Sequence, residues 1–385
     1  MLRIAFAMIN CNRRDGSARA VNEVAERLVD RGHEVHLYAR RAEDLNLEKV
    51  RWHRIPGPGW PEAADFWTYY QAVNVLLKRS RPYDIVHSIG CNTLLGNVVT
   101  IQNIQPAKDR AFQRLKQREQ VSLPRRLSRA VYLRMTSAAE KKLYSSDPRR
   151  RSPMFLPVSR GVERELREHY EIGAASVRIV PNAADLQVFK PLPEEARRAW
   201  RDRHGIAPAD FLILFAGGEW ARKGLDLAIR ALALILSNHV KLFVAGDDSD
   251  RARYLTLANE LQITDRVIFG GFRLDIAECL GAGDLFLFPS YYEAFSLATI
   301  EAAACALPVV ATKINGTEDF ITPGVTGEFI AHDPEQIAAT LRPLIADLST
   351  CRRMGGNGRE LVEQNYTWDH VTKMTEDAYD DYLCN

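Results

Sequence analysis

Glu293 and Glu301 stand eight positions apart in "YYEAFSLATIEAAACALPVVAT", residues 291–312, a stretch otherwise free of charge. Two carboxylates in such a place can form a catalytic acid/base pair, clamp a sugar, or lie unrelated on a helix face. The carboxyls of a hydrolase pair sit roughly 5 to 9.5 Å apart. Eight helical residues rise about 12 Å and turn the second side chain away from the first. The spacing therefore suits one extended ligand held at two points. Glu293 would precede a helix, with the N–H groups of Phe295, Ser296 and Leu297 facing a phosphate, and Glu301 would accept hydroxyl hydrogen bonds further along.

A second constellation lies in "FAGGEWARKGLDLAIRAL", where Arg222 and Lys223 follow a strand and glycine turn and precede a helix. Two fixed cations beside helix-start N–H groups make a site for a diphosphate; the bland alternative is an exposed Arg-Lys pair. The loop lacks the G-K-[ST] ending of a P-loop, and "NCNRRDGSARA" offers only Gly16 where a dinucleotide fingerprint needs three glycines. NTPase and dehydrogenase readings both weaken. "GDDSD" at 246–250 contains Asp248-Ser249-Asp250, superficially a D-x-D metal site, but polar turns commonly follow strands, as here. His87 in "DIVHSIG" and Asn182 in "VPN" end strands and are candidates to line a cleft. A core histidine and a turn asparagine are the alternatives.

These residues are positioned by short apolar runs that alternate with helical patterns, the signature of parallel βαβ units. Strands are predicted at 2–10, 33–40, 84–90, 97–103, 155–159 and 177–182. After a proline-bearing linker near 190–195, a second series follows at 211–218, 241–247, 266–272, 284–290 and 307–312. Two Rossmann-like α/β domains fit best, one over 1–190 and one over 191–365. The aromatic-spaced helix 366–385 is expected to pack across the domain junction, and ligands are expected beyond the carboxyl ends of the strands.

The chain has 385 residues, 46% hydrophobic and 26% charged, enough for two cores. No apolar run reaches the roughly 18 residues of a spanning helix, and "MLRIAFAMINCNRR" turns polar before a signal-peptide core could form, so a cytoplasmic location is expected. Six scattered cysteines show no C-x-x-C metal or redox spacing. Net charge is +2, yet residues 108–151 carry fourteen Lys or Arg against four acids. That is either a solvated face or an attraction to an anionic partner. The interleaved Leu123, Leu127, Val131, Tyr132 and Leu133 suit a lipid headgroup layer better than a nucleic-acid groove.

"EAFSLATIEAAACALPVVAT", "GGEWARKGLDLAIRAL" and "RIVPNAADLQVF" together resemble the retaining glycosyltransferases of family 4, and the likeness covers nearly the whole chain. The resemblance implies the GT-B fold: two Rossmann-like domains facing a cleft, acceptor domain first and nucleotide-sugar donor domain second, with a last helix crossing back. It implies that Glu293 touches the donor sugar, Glu301 holds the ribose, and Arg222 with Lys223 neutralises the diphosphate without a metal or other cofactor. The branch it resembles is the lipopolysaccharide core glucosyltransferases, which implies UDP-glucose as donor, a glycan or glycolipid acceptor, and a peripheral membrane approach through 108–151. Two departures stand out. Gln102 in "VVTIQNIQ" occupies the place of a common histidine and cannot carry a proton. Gly16 stands alone where relatives show two adjacent glycines near the diphosphate. Nucleotide-sugar 2-epimerases and a catalytically silent membrane-bound GT-B protein are the rival readings.

Overall fold

The computed structural model describes residues 1–12, 16–113, 123–145 and 151–384. Residues 114–122 and 146–150 of the basic stretch lie outside them, as do Arg13 to Asp15 beside Gly16.

The chain divides into a unit of Met1–Asn182 with Trp368–Asn385 and a unit of Ala183–Thr367. In the first, strands β1 (Arg3–Ala7), β2 (Glu34–Ala39), β3 (Arg51–Arg54), β4 (Ile85–Ile89), β5 (Val98–Ile101) and β6 (Met154–Pro157) form one parallel sheet in the order β3-β2-β1-β4-β5-β6. In the second, β7 (Phe211–Ala216), β8 (Val240–Ala245), β9 (Val267–Gly271), β10 (Leu285–Phe288), β11 (Val309–Thr312) and β12 (Gly327–Ile330) repeat the pattern as β9-β8-β7-β10-β11-β12. Both are Rossmann sheets whose strand order reverses beside the first strand of the unit, where ligands of such sheets bind.

A parallel sheet is covered on both faces, so its central strands read as unbroken apolar runs. All six residues of β7 are buried, as are all four of β10 and β11. Each fully buried Leu, Ile or Phe there contributes about 1.5 to 3 kcal/mol. Two edge strands escaped the sequence pattern. β3 is "RWHR", with both arginines exposed, and β12 is "GEFI", too short to alternate. The strand predicted at 177–182 does not form as one. Val177 makes a single bridge to Phe155, and the N–H groups of Arg178 and Val180 reach the carbonyls of Phe155 and Pro157 before Pro181, which has no N–H to donate.

The helices that matter for function are α1 (Gly16–Asp30), α2 (Glu62–Arg79), α3 (Leu123–Tyr144), α4 (Leu225–Ala233), α5 (Leu297–Ala304), α6 (Leu348–Asn365) and α7 (Trp368–Cys384). In α7 the buried residues Trp368, Val371, Thr372, Thr375, Ala378 and Tyr379 fall at helical spacing and make one stripe, so the helix docks on the first unit against α1. Arg27 Nε meets Asp369 Oδ1 at 3.0 Å and His33 Nε2 meets Glu376 Oε1 at 3.0 Å along that seam. No described helix is long and apolar enough to cross a membrane.

Candidate functional site

In the second unit, β7 ends in Gly217-Gly218-Glu219 and opens the short turn Trp220–Lys223, whose first N–H is capped by Asp248 Oδ2 at 2.8 Å. Asp248 Oδ1 also accepts the N–H of Asp250 at 2.9 Å. The "DDSD" turn is thus spent on holding the backbone, and no group of three metal-ligating side chains occurs among the described residues.

Gly224 joins this turn to α4 with φ +74°, and a Cβ there would lie 2.2 Å from the Pro289 carbonyl oxygen. Only glycine lets the turn approach the loop that follows β10 so closely. The consequence is a cation–carboxylate clamp. Glu293 Oε1 accepts from Arg222 Nη1 at 2.6 Å, from Lys223 Nζ at 3.1 Å and from Ser290 Oγ at 3.3 Å. Arg222 Nη1 also donates to the Tyr292 carbonyl at 2.7 Å, and its Nε and Nη2 reach the exposed Glu219. Burial alone would raise the Glu293 carboxyl; the charges of Lys223 and Arg222, with their hydrogen bonds, outweigh it and hold the group below the usual carboxylate range. Burial likewise disfavours the Arg222 cation, but Glu293 and Glu219 raise it above its ordinary value. Lys223 Nζ lies 4.7 Å from the centre of the Phe288 ring. Of its three N–H groups only one is engaged by a carboxylate among the described residues.

The loop carrying Glu293 runs directly into α5. Phe295 and Ser296 are buried, Ser296 occupies the N-cap without a side-chain cap bond, and Leu297 opens the helix. First-turn N–H groups of a helix have no intrahelical acceptor, which suits an anionic ligand. Glu301 is buried on the same helix. The structure thus brings Arg222, Lys223 and Glu293 into contact and sets Phe295, Ser296, Leu297 and Glu301 in sequence beyond them. Glu219 and Ser290, the further partners of the clamp, carried no signal in the sequence except adjacency to it.

Gly16, His87, Gln102 and Asn182 belong to the first unit. Gly16 opens α1. His87, Gln102 and Asn182 line one small cavity of about 30 Å³. Both His87 ring nitrogens are taken, Nδ1 by Tyr379 Oη at 2.7 Å and Nε2 by Thr100 Oγ1 at 2.7 Å, and burial pushes its pKa down to about 3. His87 therefore stays neutral and ties β4 to α7. The unfolded chain takes up that proton near pH 6.5 and the folded one does not, so stability should fall as pH drops from about 6.5 towards 3. Urea unfolding of wild type and His87→Gln between about pH 4 and 7 should show a shallower acid slope in the variant. Parallel slopes would remove His87 from the acid response.

A larger cavity, about 500 Å³, opens beyond the carboxyl ends of β1, β4 and β5, where the strand order of the first sheet reverses. Asn10, Asn92, Gln102 and Gln105 line it together with Glu140 and Tyr144. The amide nitrogen of Gln102 and the hydroxyl of Tyr144 are buried there without a hydrogen-bond partner among the described residues. Burial raises the Glu140 carboxyl, against hydrogen bonds from Tyr170 Oη at 2.8 Å and the Gln105 N–H. Glu140 and Tyr144 were missed in the sequence because Glu140 is one of few acids inside a basic stretch and its inward direction is a property of the fold.

The family model described as Glycosyltransferase Family 4 matches residues 14–188, and that described as Glycosyl transferases group 1 matches residues 196–361. The lipopolysaccharide glucosyltransferase WaaG of Escherichia coli (strain K12) is 27% identical over 367 residues, 94% of this chain and 94% of that protein. A D-inositol 3-phosphate glycosyltransferase of Xylanimonas cellulosilytica is 33% identical over 238 residues, 59% of this chain and 57% of its own length. The crystal structure of WaaG, a glycosyltransferase involved in lipopolysaccharide biosynthesis, matches with a TM-score of 0.79 at 25% identity, covering 97% of this chain and 98% of that one. Sucrose-phosphate synthase from Thermosynechococcus elongatus has the same fold, with a TM-score of 0.79 at 21% identity and full coverage of both chains.

Proposed function

The chain belongs to the GT-B glycosyltransferases, group 1 by its second unit and family 4 by its first, and we propose that it moves a hexose from UDP-glucose or a similar donor to a glycan hydroxyl with retention at the anomeric carbon. The observation that carries this is the clamp of Glu293 between Arg222 and Lys223 at the entry to α5. In the reaction the bond from the anomeric carbon to the diphosphate breaks, the acceptor oxygen forms a bond to that carbon, and its proton passes to the departing diphosphate. Charge gathers on the diphosphate, where Lys223, Arg222 and the first-turn N–H groups of α5 stabilise it without a metal. Glu293, fixed as a carboxylate, orients the sugar, and Glu301 takes ribose hydroxyls. With the leaving diphosphate as base, the acceptor attacks from the face it leaves, which gives retention. The 500 Å³ cavity of the first unit receives the acceptor, whose hydroxyls meet the Gln102 amide nitrogen and the Tyr144 hydroxyl, both without a hydrogen-bond partner among the described residues. Likeness to WaaG supports a glucosyl donor and a lipopolysaccharide-type acceptor.

A panel of nucleotide sugars tests the donor. At 100 times its dissociation constant the right one should stabilise the fold by about 2.7 kcal/mol, and Lys223→Ala should abolish the shift. If no UDP, GDP or ADP sugar raises the melting temperature, the donor assignment fails. Product formed from an α-linked donor, read by the anomeric proton coupling with and without EDTA, tests retention and metal independence.

The acceptor side is proposed to meet an anionic membrane. Trp60 and Trp67 are 66% and 51% exposed at the start of α2, which packs on α3, where Val131 is also exposed. Exposed tryptophans beside a basic helix suit a headgroup layer. Anionic vesicles at low salt should sediment the protein, with about 1 kcal/mol of attraction per basic residue near the surface, and Trp67→Ala should weaken binding. Equal sedimentation with neutral vesicles would point to apolar contact alone.

A further inference from the structure

We propose that the first unit holds a subsite for a phosphate group borne on a sugar, formed by Arg41 and Arg54 in a separate cavity of about 310 Å³. The cavity lies past the carboxyl ends of β2 and β3, and Asn10 lines both it and the larger cavity, so the two are neighbours. Its arginines are placed by the sheet. Arg54 is the last residue of β3, paired with Ala39 of β2; the chain continues from Ala39 through Arg40 to Arg41, which pairs with Asn10 in a two-residue ribbon.

Three guanidiniums line this cavity against one carboxylate, and the carboxylate is already matched. Arg40 Nε meets Asp65 Oδ1 at 2.9 Å, its Nη1 donates to the Ile55 carbonyl at 3.3 Å, and its Nη2 reaches Thr68 Oγ1 at 2.6 Å. Gly57 makes room for it: a Cβ at that position would overlap the Arg40 guanidinium. Arg40 is thus a buried, neutralised strut, 7% exposed, which shapes the loop over residues 55–59. Asp65 completes the strut by accepting the Gly59 N–H at 2.8 Å. Arg41 and Arg54 are exposed and meet no carboxylate among the described residues. Two uncompensated guanidiniums at the rim of a concave polar site, each able to present paired N–H donors, match a doubly charged phosphate better than a neutral sugar ring or a cation.

That the phosphate sits on the acceptor rests on the assignment of the larger cavity to the acceptor. The test separates the two. Binding of glucose 6-phosphate, glucose and inorganic phosphate is measured calorimetrically at low salt, with no donor and no turnover, on wild type, Arg41→Gln/Arg54→Gln and the exposed control Arg198→Gln of the second unit. Glucose 6-phosphate should bind wild type and the control at least tenfold tighter than glucose or inorganic phosphate, with affinity falling as salt is added. The double variant should lose about tenfold or more on glucose 6-phosphate while keeping its melting temperature and its affinity for glucose. Unchanged affinity in the double variant overturns the subsite. Inorganic phosphate binding as tightly as glucose 6-phosphate overturns the sugar-borne source and leaves a free-phosphate site. Failure of every nucleotide sugar in the donor panel would sink the transferase mechanism without touching these values.

Discussion

Arg222→Ala should lower turnover about 100- to 1,000-fold, corresponding to roughly 2.7 to 4 kcal/mol of lost charge stabilisation at the departing diphosphate. Lys223→Ala should do the same. The clamp adds a second consequence, because both cations also neutralise Glu293, whose side chain is 13% exposed. Removing one partner of a buried pair costs roughly 3 to 5 kcal/mol when the remaining charge is uncompensated; here the second cation remains, so the loss of stability should be smaller. The carboxyl of Glu293 is held below its ordinary value, so the clamp contributes stability above about pH 4.3 and loses it as pH falls through the depressed folded value. Either variant should move that acid transition to higher pH, because one of the two charges that lower the carboxyl is gone. The measurements are kcat with the best donor, and unfolding free energy against pH. Turnover within threefold of wild type in both single variants would remove the cations from the chemistry.

Gly224→Ala should destabilise the second unit by about 3 kcal/mol or more. A left-handed backbone costs a non-glycine residue roughly 1 to 3 kcal/mol. Overpacking against the Pro289 carbonyl costs about 1 to 3 more. For a unit of this size that is a fall of roughly 6 to 12 °C in melting temperature. Gly356→Ala on α6 is the matched control. A Cβ there meets nothing within 4 Å, and the helix should be unchanged or gain up to about 1 kcal/mol. Calorimetry that finds the two variants equally stable would mean that the turn can shift away from the loop, and that the glycine is not what brings Lys223 to Glu293.

The fold was legible where burial is two-sided. Ten of the twelve strands in the two six-stranded sheets announced themselves as apolar runs, because β1, β7 and β10 have no wet face to interrupt them. The edges were not legible: Arg51 and Arg54 of β3 point to solvent, and nothing in "RWHR" distinguishes a strand that pairs on one side from a loop. At the site, the residue types suggested phosphate chemistry and a sugar-facing carboxylate. What the sequence could not show is that Lys223 and Glu293, seventy positions apart, contact each other directly, so that the cations are paired rather than free. His87 was ambiguous for the same reason. Its partner Tyr379 lies nearly three hundred residues away, and only the docking of α7 makes it a core residue.

That docking sets an order of events during synthesis. The first unit needs Trp368–Cys384 to cover α1 and to satisfy His87, yet those residues are translated only after the whole of the second unit. At about 5 to 20 residues per second, the stretch Ala183–Thr367 takes roughly 10 to 40 s to be made after Asn182. Through that interval the nascent first unit carries an open apolar seam, while the second unit can finish ahead of it. The half of the chain that is made first is therefore the half that finishes folding last, and a chain cut short before Trp368 carries all of the second unit attached to a first one that cannot close.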